Sequence, residues 1–188
     1  LRQAPLGAVV REAAEPHEDR GKTLIYDISP ASGASARQPV VMRRPEIVHG
    51  LRNLIQNAVD FAETRVWIDV RWTNEEITVR IIDDGPGFAG EVFARIGDPF
   101  VRKRRMEQEM GQRPEYEGMG LGLFIAKTLL ERSGAELSFT NGSDPFTAGP
   151  QSTERSGAIV EAVWPREAIV SESAEPGTPL GENVPIRA

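Results

Sequence analysis

The sequence predicts a two-layer α/β sandwich, a mixed sheet with helices packed on one face. Three observations carry this. Val66, Ile68, Val70 and Trp72 alternate, and so do Ile77, Val79 and Ile81 just downstream, which is the pattern of two half-buried strands joined by a turn at Thr73-Asn74. A long amphipathic helix over 45–62 precedes them, with Ile47, Leu51, Leu54, Ile55 and Ala58 on one face. Strands and helices do not alternate regularly along the chain, so a doubly wound parallel sheet is disfavoured.

Taken in order, Leu6, Val9, Val10 and Ala13 recur at helical spacing until Pro16 limits the run, and Leu24, Tyr26 and Ile28 mark a strand over 22–28. Residues 30–38 are small and Ser/Ala/Gly-rich, a loop, and 39–42 is a short strand. Pro45 suits the first turn of the long helix. A short helix is expected over 91–96. Residues 97–117 have little periodicity and much charge, including Arg102-Lys103-Arg104-Arg105, the pattern of a functional lid. A helix is expected over 120–133, stopped by Gly134, then strands over 135–140 and 156–164 around a polar loop. From Pro165 onward Pro, Gly, Ser and Glu dominate, and a disordered tail is expected over 166–188. The resulting division is a helical segment or linker over 1–21, a main domain over 22–165 with a lid at about 97–118, and the tail.

Composition narrows the function. At 188 residues the chain holds one domain with tails, and its net charge is −6 with one short basic run, which argues against a nucleic-acid partner. Cysteine is absent, which excludes disulfides and thiolate metal sites, and two histidines, His17 and His49, are too few for an ordinary zinc site. No apolar run reaches about 18 residues, so no membrane contact is expected of this stretch. The chain begins at Leu1 without a signal-peptide pattern, which suggests a piece of a longer protein.

Three local patterns stand out. Asn53, Asn57 and Asp60 fall at i, i+4 and i+7 on one face of the long helix, away from its apolar stripe. Asparagine is a poor helix former, so two stacked amides are either a solvated face or oxygens offered to a ligand or cation. Asp83-Asp84-Gly85-Pro86-Gly87-Phe88 places two carboxylates at a strand end, followed by glycines that permit close approach. It reads as an acidic turn or a ligand site. Gly118-Met119-Gly120-Leu121-Gly122 runs straight into a helical pattern, either a tight turn or a phosphate cradle of backbone N–H groups at a helix start. Together the three suit ATP: a buried carboxylate for the adenine amine, an amide oxygen for Mg²⁺, and glycines for the phosphates. A Walker-type NTPase is excluded because no Gly-x-x-x-x-Gly-Lys-Ser/Thr is present, and a Rossmann site because the glycines follow an irregular segment, not a strand.

This order resembles the GHKL (Bergerat-fold) ATP-binding family, and within it the catalytic ATP-binding domain of bacterial sensor histidine kinases. Leu51-Arg52-Asn53-Leu54-Ile55-Gln56-Asn57-Ala58 is similar to the N box, 83–88 to the G1 box, Asp98-Pro99-Phe100-Val101-Arg102 to the F box, and 118–123 to the G2 box. The resemblance spans about 24–164. The wording of 124–131 is most similar to the RegB/PrrB redox-responsive kinases. The resemblance implies ATP and Mg²⁺ as cofactors. It implies that Asn57 holds the metal with Asn53 in support, that Asp83 takes the adenine amine, and that Gly85 and Gly87 shape the base pocket. Phe100 would sit under the lid. Gly118, Gly120 and Gly122 would form the phosphate-side hinge, with Leu121 and Leu123 in the wall.

The implied activity is transfer of the γ-phosphoryl group to a histidine of a preceding dimerisation domain. A response regulator would be the onward partner, and the location the cytoplasmic side of an inner-membrane sensor. Three departures bear on this. The family's Gly-x-Thr near the final strand is blurred into Ser156-Gly157-Ala158, with Gly157 as its candidate counterpart. Asp60 stands where many such kinases carry Lys or Arg, so a cation must come from elsewhere, with Arg102 or Lys103 as candidates. His17-Glu18-Asp19-Arg20 imitates a phosphoacceptor box, but Asp19 replaces an apolar residue and no proline follows, so His17 is expected at the surface. His49 is expected in a helix-surface or packing role. Related hydrolases carry a glutamate base where Asn53 stands, and an amide cannot take a proton. Two alternatives remain, a GHKL-type hydrolase and a non-catalytic nucleotide-binding module.

Overall fold

The alternation in the middle of the chain builds the centre of the sheet. A computed structural model describes residues 2–89, 114–142 and 155–171, with 114–120 described by backbone alone. Strands β4 (Arg65–Trp72) and β5 (Glu76–Asp83) form the expected antiparallel hairpin, with Val70 opposite Val79 and Ile68 opposite Ile81. Thr73 closes the turn: its N–H reaches the Glu76 carbonyl at 2.9 Å and its hydroxyl accepts the Glu75 and Glu76 N–H groups. The five-stranded sheet has the order β2-β4-β5-β7-β6, where β2 is Thr23–Ile28, β6 is Glu136–Asn141 and β7 is Ala158–Pro165. Only β2 pairs in parallel, with β4, so the sheet is mixed as expected.

One face of this sheet carries the helices. Val66, Ile68, Val70, Ile77, Val79, Ile81, Val160, Ala162 and Trp164 share a single core with α2 (Pro45–Phe61) and α3 (Pro114–Arg132). α2 presents Ile47, Leu51, Leu54, Ile55 and Ala58 to it, the expected stripe, and α3 presents Leu123, Ala126 and Leu130. The Trp164 indole donates to Ser133 Oγ at 2.8 Å, tying β7 to the end of α3. On the opposite face, register aligns Ile25, Trp67, Ile82 and Ile159 in one row. The Arg155 guanidinium lies 5.2 Å from the Trp67 ring centre and bonds Asp69 at 2.9 Å, so a cation and a hydrocarbon stem cover that row in part.

Three boundaries differ from those expected. Residues 1–21 are not a separate linker in packing: α1 (Leu6–Ala14) buries Leu6, Val9, Val10, Ala13 and Ala14 in the same core and lies against α2. Full burial of a Val or Leu contributes about 1.5–3 kcal/mol, so this helix is integral to the domain. A short strand before it, β1 (Gln3–Pro5), pairs with β3 (Val40–Met42) in a second, two-stranded sheet that sequence pattern does not foresee. The expected tail at 166–188 begins too early: Arg166–Ile169 form a helical turn, α4, that buries Ile169, and Val170 bridges Val41. Residues 172–188 lie outside the described residues, as do the expected helix at 91–96 and most of the expected lid.

Candidate functional site

The end of β5 splits the carboxylate pair. Asp83 points inward on the core side and is 1% exposed, while Asp84 turns outward. Asp84 accepts the N–H groups of Glu63, Thr64 and Arg65 and the Thr64 hydroxyl, holding the α2–β4 connection. Burial opposes its ionised form, but those hydrogen bonds outweigh the burial and keep its carboxyl below the usual range. It is a scaffold.

Asp83 is the available group. Its Oδ1 accepts from the Gly85 N–H at 2.9 Å and the Ala158 N–H at 3.2 Å, and among the described residues its second oxygen has no partner. Burial raises its pKa to about 6 despite those two N–H groups, with the neighbouring Asp84 charge adding to the rise and Lys22 opposing it. A raised carboxyl pKa means the folded state binds the proton more tightly than the unfolded chain. The stability it contributes is complete below the unfolded value of 3.8 and is lost as pH rises through about 6. If Asp83 takes the base amine of a nucleotide, as the resemblance implies, binding runs the other way, because such a donor is best met by the ionised form. The dissociation constant for ATP is expected to rise up to about tenfold per pH unit below about pH 6 in the native chain and to stay flat in Asp83→Asn. Calorimetric titration from pH 5 to 8 checks this.

Gly157 lets β7 approach Asp83. A Cβ there would lie 2.0 Å from Asp83 Oδ1 and 2.6 Å from its carbonyl oxygen, and the Gly157 N–H already bonds that carbonyl at 3.0 Å. Gly157→Ala must therefore displace the carboxylate or the strand. It is expected to cost about 1–3 kcal/mol in stability, read as a lower denaturant midpoint, and to weaken nucleotide binding with it. On the other side, Gly85 lies against the carbonyl of Phe61 at the end of α2, where a Cβ would meet oxygen at 2.1 Å.

Gly87 has a φ of +81°, a left-handed conformation that glycine adopts without a Cβ penalty. It is followed by Phe88, buried and edge-on to Phe139 with ring centres 6.1 Å apart. Asn141 fixes this turn from the end of β6. Its Oδ1 accepts the Phe88 N–H at 2.7 Å and its amide donates to the Phe88 carbonyl at 3.0 Å. Sequence pattern misses Asn141, which sits where a polar loop is expected; its only cue is a position one residue past an alternating strand.

Asn57 is 7% exposed and forms no side-chain hydrogen bond among the described residues. It is also not one of the fully enclosed unpaired groups, so its amide keeps an opening. An exposed carboxamide without partners is unremarkable, but one almost wholly buried is costly unless a ligand completes it. Asn53, one turn earlier, lines a groove of about 500 Å³ between α2 and α3 with His49, Ile125, Leu129 and Arg132. His49 is exposed at this groove, as expected of a helix-surface residue.

The glycine stretch is where expectation and structure part. The helix expected to begin at Gly120 begins at Pro114 and runs through Gly118, Gly120 and Gly122 without a break. Its unpaired N–H groups therefore fall in the turn that starts at Pro114, which itself has none, ahead of the glycines and not on a cradle built by them. Each glycine costs a helix interior about 1 kcal/mol relative to alanine, so the first two turns of α3 are held weakly. Leu121, expected in the wall of the site, is 48% exposed, because helical phase puts it opposite Leu123, which is enclosed in the core. Phe100, Arg102 and Lys103 lie outside the described residues.

His17 is likewise corrected. It is 8% exposed, not a surface residue, and it ends the 3-10 turn that follows α1. Burial, with Arg20 beside it, lowers the pKa of its imidazole, and the Asp60 charge opposes that shift. Asp60 pairs with Arg20, and Lys22 donates to the Ala62 carbonyl at the end of α2.

The geometry defines a class: a mixed sheet covered on one face by helices, with a buried carboxylate at a strand end and a buried, unpartnered amide on the long helix. The family described as histidine kinase-, DNA gyrase B- and HSP90-like ATPases matches residues 42–168, and the chain belongs to it. More particularly, the chain is 60% identical over 187 residues to the sensor histidine kinase RegB of Cereibacter sphaeroides. That match takes in all of this chain and 40% of the relative, so the chain spans well under half of that protein's length. Among solved structures it is similar to the mycobacterial sensor histidine kinase MprB (TM-score 0.57, 18% identity, 87% of this chain and 95% of that one). It is also similar to full-length ShkA in complex with AMPPNP (TM-score 0.56, 21% identity, 91% of this chain and 32% of that one). Both likenesses concern the fold. Among the described residues no helix is long and apolar enough to cross a membrane.

Proposed function

We propose that this chain binds Mg-ATP and donates its γ-phosphoryl group to a histidine on a preceding helical dimerisation domain of a cytoplasmic kinase module, with a response regulator as the onward acceptor. The observation that carries the reading is the half-satisfied Asp83. One oxygen is locked by two backbone N–H groups and the other is left, in a buried setting, for a donor. An exocyclic adenine amine is such a donor. The 60% identity to a sensor histidine kinase supports the same reading.

Asn57 suits the metal. Mg²⁺ favours hard oxygen ligands, keeps several waters and is usually held by one or two protein groups plus phosphates. The described residues contain no cluster of three or more His, Cys, Asp or Glu that could hold a metal by themselves, so a single amide acting with the polyphosphate is the fit. When bound, the ion supplies charge neutralisation to the transferring group. The chain's own residues do the rest. Asp83 orients the base, Asn57 fixes the phosphate end, and Gly85, Gly87 and Gly157 give the backbone approach that both need. Phosphoryl transfer asks mostly for positioning and charge balance, and the accepting imidazole brings its own lone pair.

Hydrolysis is the second reading, and Asn53 weighs against it. It stands one turn before Asn57, where a general base would have to be, and an amide cannot accept a proton. The deciding experiment mixes the chain with radiolabelled ATP and the helical domain that precedes it in its parent protein. Label on histidine supports transfer. Free phosphate without labelled histidine supports hydrolysis, and bound, intact ATP supports a non-catalytic module.

A further inference from the structure

The C-terminal end of α2 is electrostatically wrong for a polyphosphate. Its last turn has no basic residue, its dipole end is negative, and Asp60 adds a carboxylate there. Asp60 follows Asn57 by three positions, so the two side chains are neighbours on the helix surface. A nucleotide phosphate held at Asn57 would face that carboxylate across less than one helical turn.

The chain supplies the missing cations from another segment. Residues 17–22, between α1 and β2, run along this end of α2. Arg20 pairs with Asp60, and the Lys22 ammonium donates to the Ala62 carbonyl. Arg20 is itself seated: His17 Nδ1 lies 3.3 Å from Arg20 Nη1, and His17 is buried. Both partners of the pair remain partly open, with side chains 41% and 37% exposed, so they stand at a rim that a ligand can reach.

We propose that Arg20 is a positioning residue of the nucleotide site: it cancels the charge of Asp60 so that a polyphosphate can approach α2, and the N-terminal segment thereby completes the site. This rests on the ATP reading above. It answers the absence of Lys or Arg at position 60 with a residue from 40 positions upstream, not from the lid. It also gives α1 a second role, because the segment that follows it carries the compensating charge.

The test titrates the 188-residue chain with ATP and with adenosine, in wild type, Arg20→Ala and Arg20→Ala/Asp60→Asn, with thermal melting of each. Arg20→Ala should weaken ATP about tenfold at low ionic strength, and less at high salt, while adenosine changes less than about twofold. Asp60→Asn in the Arg20→Ala background should restore ATP to within about twofold of wild type. Parallel loss of adenosine and ATP would make Arg20 merely structural and overturn the proposal. So would an unchanged ATP affinity in Arg20→Ala. A double variant as weak as Arg20→Ala would mean that Arg20 touches the phosphate itself, and that also overturns it. Wild-type protein that binds neither ligand would instead remove the nucleotide reading on which the proposal stands.

Discussion

Asp83→Ala is expected to abolish discrimination between ATP and GTP while leaving the fold intact. The variant removes a charge-assisted hydrogen bond of about 1.5–3 kcal/mol, or roughly 10- to 150-fold in ATP affinity. GTP offers a carbonyl where ATP offers an amine, so a carboxylate there repels it, and removal of the carboxylate should leave GTP unchanged or tighter. The same substitution frees two backbone N–H groups, of Gly85 and Ala158, which now share Oδ1. Asp83→Asn keeps an oxygen for them and isolates the effect on the ligand. Competition titrations with both nucleotides check the prediction. Equal preference for ATP over GTP in wild type and in both variants would show that Asp83 does not read the base. Stability should depend on pH differently in the two proteins: the native chain loses the contribution of a raised carboxyl pKa as pH rises from 3.8 to about 6, and Asp83→Asn has no such slope.

Asn57→Ala is expected to reduce Mg²⁺-dependent ATP use by at least about 100-fold, since even outer-shell groups at metal sites cost 10- to 100-fold. Adenosine, which needs neither metal nor phosphate contact, should bind as before. The contrast matters because Asn57 is nearly buried and unpaired, a state that costs the free protein stability. Removal of the carboxamide should therefore leave the melting temperature unchanged or raise it while ATP use collapses. A variant that transfers phosphate to the helical domain at the native rate would exclude Asn57 from the metal.

The strand end that carries the buried carboxylate was legible in the chain because it is local. Asp83, Gly85 and Gly87 lie within five residues at the end of an alternating strand, and strand phase alone decides which of two adjacent carboxylates faces the core. What closes that end was legible only in part. Ser156-Gly157-Ala158 marks Gly157, just before β7, while Asn141, at the end of β6 and more than 50 residues away, has no periodic signal that marks it. The start of the glycine-bearing helix was misread for a different reason. Alternating glycines predict a break in the helix, but the intrinsic cost of about 1 kcal/mol per glycine is small beside the burial of Leu123, Ala126 and Leu130 on the same helix. Helical hydrogen bonds also satisfy N–H groups that a cradle would leave open.

The N-terminal segment teaches the same lesson from the other direction. Its helical period was plain, but a period says only that one face is apolar, not what covers it. α2 covers it, and that contact places Arg20 against Asp60 and buries His17, a residue that sequence pattern assigned to the surface.

By itself the sequence determined the mixed sheet, the helix that carries Asn57 and the strand end that carries Asp83, because these depend on periods of two and 3.6 and on residues close together in the chain. Only the tertiary structure decided which oxygen of Asp83 stays free, that 6–14 and 166–169 belong to the core, and which cation faces Asp60. Those outcomes depend on contacts far apart in the chain, such as Arg20 with Asp60, Asp83 with Ala158 and Val41 with Val170, and such contacts follow from how whole faces pack, not from any local pattern.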